Sequence, residues 1–110
     1  MALVEPINMG VMRKWDLTDT AISSTTDSDT AHGEIAHFLG SMYIKTSGAV
    51  LMTIQIQESP DNTNWFIVDE QEISSNYCYR VVHPFIYLKL VVHDYTSGQI
   101  DDITLLGHVR

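Results

Sequence analysis

A single cysteine, Cys78, leaves the chain unable to form a disulfide within itself. Its place in the strand-like run Tyr77-Cys78-Tyr79-Arg80 reads as a structural thiol, buried or half-buried. Basic residues are also scarce, with six Lys and Arg against 14 Asp and Glu and a net charge of −8. Arg13, Lys14, Lys45, Arg80, Lys89 and Arg110 are scattered along the sequence. Phosphate affinity needs cations gathered closely enough to displace counterions, so neither nucleic acid nor an anionic membrane is an expected partner. No run approaches the roughly 18 apolar residues that a membrane-spanning helix needs. Residues Met1 to Pro6 have neither a basic start nor a long apolar stretch, so no signal peptide is expected. The reading is a soluble protein made in a cytoplasm.

At 110 residues and 45% hydrophobic content, the chain can close one core without a metal or disulfide framework. The stretch Val50 to Val68 organises it. Val50, Met52, Ile54 and Ile56 fall on one face and Leu51, Thr53, Gln55 and Gln57 on the other, the period of two of a half-buried strand. Ser59-Pro60-Asp61-Asn62 then supplies turn chemistry, because Pro presets φ and Asp and Asn bond their own backbone. Trp65-Phe66-Ile67-Val68 resumes the apolar pattern on the return, giving a β-hairpin with Trp65 expected to plug one end of the core.

Residues 1–14 have no clear period and read as an extended N-terminal arm ahead of a domain covering 15–110. Such an arm is mobile on a lone monomer or lies across a neighbour in an assembly, and Leu3, Val4, Ile7 and Met9 suit the second case. Trp15 to Thr18 reads as a short strand and residues 21–30 as a small-polar loop. Glu34 to Thr46 has some helical spacing, yet Gly40, Ser41 and the β-rich end Tyr43-Ile44-Lys45-Thr46 favour a strand, with a bulge at Gly40. Ser47-Gly48 is expected to turn that strand into the organising one, and Tyr95 to Gly98 to turn the chain again near its end. Ile86, Leu88, Leu90 and Val92 form one face of a further strand, and Lys89 marks the opposite face as solvated. The sum is an all-β domain of about seven or eight short strands, a single antiparallel β-sandwich of jelly-roll type.

No grouping with catalytic chemistry emerges. His32-Gly-Glu-Ile-Ala-His37 has the wrong spacing for two zinc ligands on one helical face, and His83 and His93 lie too far apart along one strand to share an ion. His108 completes the five histidines, which read as structural or surface residues. Asp19, Asp27 and Asp29 invite a calcium reading but lack the spacing of a calcium loop, and a solvated turn explains them more simply. Glu58, Asp61 and Asp69 flank a hairpin rather than a cleft, and no nucleophile elbow or phosphate-cradling loop is present. The expectation is no catalytic residue, no cofactor and no metal. Trp15, Trp65, Tyr77, Tyr79, Tyr87 and Tyr95 would suit stacking on saccharide rings if exposed, although aromatics inside strands more often pack in the core.

The segment from Ser47-Gly48 through Ile54-Gln55-Ile56-Gln57-Glu58-Ser59-Pro60-Asp61-Asn62 to Trp65, followed by Tyr79-Arg80-Val81 and Tyr87 to Val92, resembles small virion proteins of tailed bacteriophages. These carry an S-G-x-V-x-V-x-I-Q-x-S-x-D-G-x-x-W hairpin within a β-sandwich. Asn62 stands where that pattern often has Gly, and Asn tolerates the left-handed backbone such a turn needs. The resemblance, over about residues 40–95, implies a non-enzymatic capsid decoration (cement) protein that stabilises the assembled head. It implies as partners the major capsid protein or other virion proteins, self-association as a trimer, and location in the virion. A tail or baseplate module that binds host glycans is the alternative. The 1–14 arm and the loop 24–32 are the expected contact regions, with the hairpin tip 59–64 behind them.

Overall fold

The computed structural model describes residues 2–33, 38–82 and 85–109. The chain is all-β, and no helix occurs among the described residues. Eight strands belong to one sheet: β1 (Leu3–Val4), β2 (Ile7–Met9), β3 (Met12–Asp16), β4 (Thr30–His32), β5 (Phe38–Ser59), β6 (Phe66–Ile73), β7 (Tyr77–Val81) and β8 (Tyr87–Val109). Two of them are long rather than short, β5 with 22 residues and β8 with 23. The sheet is mixed rather than purely antiparallel, because β1 runs parallel to β4 while every other strand pair is antiparallel.

β5 and β8 form the spine, paired from Phe38↔Val109 to Ser59↔Tyr87. On the free side of β5, β7 pairs with residues 40–44 and β6 with residues 52–58. On the free side of β8, β3 pairs with residues 104–108 and β4 with residues 87–88. The sheet thus has two arms. The first holds β2, β3, β7, the start of β5 and the end of β8. The second holds β1, β4, β6 and the remaining parts of the spine.

The arms meet at a bend that the sequence disguises. Ser47-Gly48 and Tyr95 to Gly98, expected as turns, lie inside β5 and β8. The strand expected over Glu34 to Thr46 and the organising strand after it are therefore one continuous strand from Phe38, and residues 34–37 lie outside the described part of the chain. Between Ser47↔Gln99 and Leu51↔Ser97, Gly48, Ala49 and Val50 stand opposite Gly98 alone. Both glycines are left-handed, Gly48 at φ 78° and Gly98 at φ 81°. Extra residues at Asp101, Thr96 and His93 add further register shifts in β8. Bulges of this kind bend and twist a strand, and they curl the sheet so that one face turns inward. Gly40 is no bulge: it pairs in register with Val81 on one side and Gly107 on the other.

The inward face is the core. Met42, Ile44, Trp15, Ile103 and Leu105 of the first arm and Met52, Ile54, Ile56, Leu88, Leu90 and Val92 of the second belong to one buried cluster. The alternation read at Val50–Ile56 and at Leu88–Val92 accounts for these positions. Residues 3–14, read as an extended arm ahead of the domain, instead supply β1, β2 and the start of β3 to the sheet, and the chain turns back on itself at Gly10-Val11 between β2 and β3.

Candidate functional site

The outward face of the first arm carries a group of exposed apolar side chains drawn from several strands. Because Met42 and Ile44 are buried, their alternates Leu39, Ser41, Tyr43 and Lys45 point outward. Register then sets their neighbours. Arg80, Ser41, Leu106, Lys14 and Ile7 form one row across five strands, and Leu39, His108, Met12 and Met9 form the row beside it. Ile7 is 53% exposed, Met9 46%, Tyr43 48% and Leu39 39%. A groove of about 380 Å³ crosses the face, with Met12, Leu39, Ser41, Arg80, Leu106 and His108 among its lining. Arg80 Nη1 donates to Ser41 Oγ at 2.6 Å, which holds the guanidinium over a serine that is itself buried. Lys14 lies 3.8 Å from Asp16 Oδ1.

Charge is distributed unevenly. This face holds Lys14, Lys45 and Arg80, three of the six basic residues, and only Asp16 and Asp102 of the acids in the same rows, on a chain whose net charge is −8. Those cations look scattered in the sequence, and only the pairing of distant strands gathers them. The alternation of Tyr77 to Val81 would have pointed Arg80 outward, but no local signal sets it beside Ser41. Cys78 is on the same face and exposed, not buried as its strand position suggested. β6 presents the opposite character. It pairs with β5 only, leaves Phe66, Ile67 and Val68 exposed at 61%, 57% and 40%, and carries Asp69, Glu70 and Glu72 with no base.

The aromatic residues that suggested a sugar platform are largely committed elsewhere. Trp15 is 1% exposed, with its ring 5.6 Å from that of Phe85 and its Nε1 donating to His32 O at 3.1 Å. Trp65 does not plug the core. It is half-buried at the surface, with the Lys89 ammonium 4.1 Å from its ring centroid. Lys89, expected in solvent, is 7% exposed and meets Asp27 Oδ2 at 2.9 Å. Tyr87 stacks on His32 with ring centroids 5.0 Å apart, and Tyr95 Oη donates to Gly98 O at the bend. Tyr77 and Tyr79 are packed partly against the core. Burial, and then the Asp69 carboxylate, push both phenols above the usual tyrosine range.

The acidic loop is a tether. Asp27 goes to Lys89, Asp29 Oδ1 accepts the Ala2 N–H at 3.1 Å, and Ser28 Oγ accepts the Leu90 N–H at 2.9 Å. Backbone bonds from Ser28 N to Leu90 O and from Val92 N to Thr26 O fasten the same loop to β8. His32 Nδ1 lies 2.8 Å from Glu5 Oε1. Among the described residues, no group of three His, Cys, Asp or Glu side chains is arranged to hold a metal ion. His37 and His83 lie outside the described residues. At the hairpin tip, the Asp61 carboxylate accepts from the Thr63 and Asn64 backbone N–H groups, the Asn64 amide and the Ser59 hydroxyl. These donors hold its carboxyl well below the usual carboxylate range. Asn62 has φ 60°, the left-handed turn position anticipated from its sequence.

No known family matches the chain, and no curated protein matches it. Among solved structures it is similar to the crystal structure of PirA, at 17% identity over 93% of this chain and 97% of that one, with a TM-score of 0.47. A likeness of that degree assigns neither a family nor a function.

Proposed function

We propose that this protein is a non-enzymatic structural component that works by protein–protein contact. The observation that supports it is the outward face of the first arm, where Ile7, Met9, Leu39 and Tyr43 open a shared apolar surface to solvent. Apolar patches rimmed by polar groups mark interaction sites on otherwise polar proteins. We further read the curled sheet as a β-sandwich of jelly-roll type, its two arms being the two layers. With the hairpin resemblance, this gives a capsid decoration protein of a tailed phage, bound in the virion to the major capsid protein. A protein that binds only the assembled shell stabilises that shell by mass action. The glycan-binding alternative has less in its favour, since Trp15 is buried and one face of Trp65 is occupied by Lys89.

Quantitative mass spectrometry of particles purified from producing cells tests this reading. Copy numbers proportional to the shell lattice are expected. A few copies per particle would favour a tail component, and absence from particles would overturn the virion reading.

A further inference from the structure

The two exposed apolar surfaces differ in charge, and that difference points to a partner. One is the outward face of the first arm, with Lys14, Lys45 and Arg80 around Tyr43 and Leu39 against the two acids Asp16 and Asp102. The other is the β6 edge, with Phe66 and Ile67 followed by Asp69, Glu70 and Glu72. We propose that two copies of the chain associate head to tail, the β6 edge of one copy seated on the outward face of the next. The inference rests on the same premise as the proposed function, that the outward face is a contact surface, and it names a second copy as the occupant.

Dimensions and charge agree. An eight-residue strand at 3.2–3.4 Å per residue is about 26 Å long. Five strands at 4.7–4.9 Å spacing make a face about 19 Å across. β6 can therefore lie over the full width of the face, its apolar half against Ile7 and Met9 of β2 and its acidic half toward Arg80 of β7. Edge strands ordinarily resist pairing through lysines, prolines or inward-pointing charges. β6 has no lysine or proline, and Asp69, opposite the buried Ile56, is its inward-pointing charge, while Glu70 and Glu72 point the other way. Its acids repel a second β6, which disfavours symmetric edge-to-edge pairing, and Glu70 and Glu72 are attracted to the outward face, where three cations outnumber two acids. Contact between two different patches is heterologous, so it propagates from copy to copy until the rotation closes a ring. An overlap of this size is at or below the ~1,200 Å² that marks the low end of specific interfaces. Association is accordingly weak in free solution and strongest where copies are already crowded together.

A charge swap tests the arrangement. One variant carries Glu70→Lys with Glu72→Lys, the other Lys14→Glu with Arg80→Glu, each checked by circular dichroism and melting for a retained fold. Sedimentation velocity at low salt should show concentration-dependent association of the unmodified chain that weakens as salt is raised. Each variant alone should associate at least about tenfold more weakly, since like charges then face each other. An equimolar mixture should recover association, because the reversed edge of one variant meets the reversed face of the other. A monomeric unmodified chain, or a mixture that stays monomeric, would overturn the proposal. So would a β6 variant that associates as well as the unmodified chain, because the contact would then bypass β6. These outcomes are independent of the particle analysis: a monomer found at lattice stoichiometry loses only self-docking, and a self-associating chain absent from particles loses only the virion reading.

Discussion

Gly98 lies against Val50 so closely that a Cβ built on the glycine would come within 2.6 Å of the Val50 Cα and 2.7 Å of its Cγ2. Gly48, across the same bend, has only the Gly98 Cα near its own missing Cβ, at 3.7 Å. The two glycines share a left-handed backbone but differ in the space around them. Gly48→Ala should cost about 1–2 kcal/mol, the penalty of a side chain at positive φ. Gly98→Ala adds a backbone clash and should cost about 2–4 kcal/mol. Urea unfolding of both variants tests the difference, and equal losses would mean that space at the bend is not limiting.

The two tryptophans should separate in the same way. Trp15 is buried among the core residues, so Trp15→Ala should lose about 3–5 kcal/mol. Trp65→Ala removes a half-buried ring and its contact with Lys89, and should lose about 1–2 kcal/mol. Thermal melts read both. A larger loss at Trp65 would return that residue to the core.

The Lys89–Asp27 pair should respond asymmetrically. Asp27→Asn leaves the ammonium of Lys89, a residue only 7% exposed, without its carboxylate, for a loss of about 2 kcal/mol. Lys89→Met keeps the stem packed and leaves Asp27, whose side chain is 33% exposed, able to reach water; the loss should be about 1 kcal/mol or less. Chemical denaturation measures both. Equal losses would show that the pair acts through packing alone.

Asp61 gives the turn a pH dependence. Its native carboxyl titrates below the ordinary aspartate value of 3.8, chiefly through the Asn64 and Thr63 backbone donors. The stability it contributes is therefore complete above 3.8 and is lost as pH falls through the lower native value. Asp61→Ala should be less stable than the parent at neutral pH, with the gap narrowing in acid. A gap independent of pH would assign the loss to something other than the ionised carboxyl.

Much of the fold can be read along the chain, and the failures share one cause. The hairpin Met52–Ile73 was legible because its alternation, its Pro60-Asp61-Asn62 turn and its partner strand are all local. Ser47-Gly48 and Tyr95 to Gly98 misled because a glycine at positive φ serves a tight turn and a bulged bend equally. Only the pairing partner distinguishes them, and here it lies about fifty residues away, as in Ser47↔Gln99. Lys89 misled for the same reason, since its carboxylate sits 62 positions back at Asp27. The outward face was the least legible part. Ile7, Lys14, Leu39 and Arg80 come from four strands whose order across the sheet has no local signature.

β5 and β8 each pass through both arms of the sheet without a connecting loop. Arms joined by loops can melt one at a time. Here, releasing Ile44 from Ile103 in the first arm loosens the same two strands that pair Ile54 with Val92 in the second. Amide hydrogens at these four positions should therefore exchange with solvent through one shared global opening rather than two local ones. The spine also joins residues that are far apart in sequence, so its chain-closure cost falls before most of the reward, and folding should be slow for a protein of this length. The bend that shapes the domain thus also makes it a single cooperative unit.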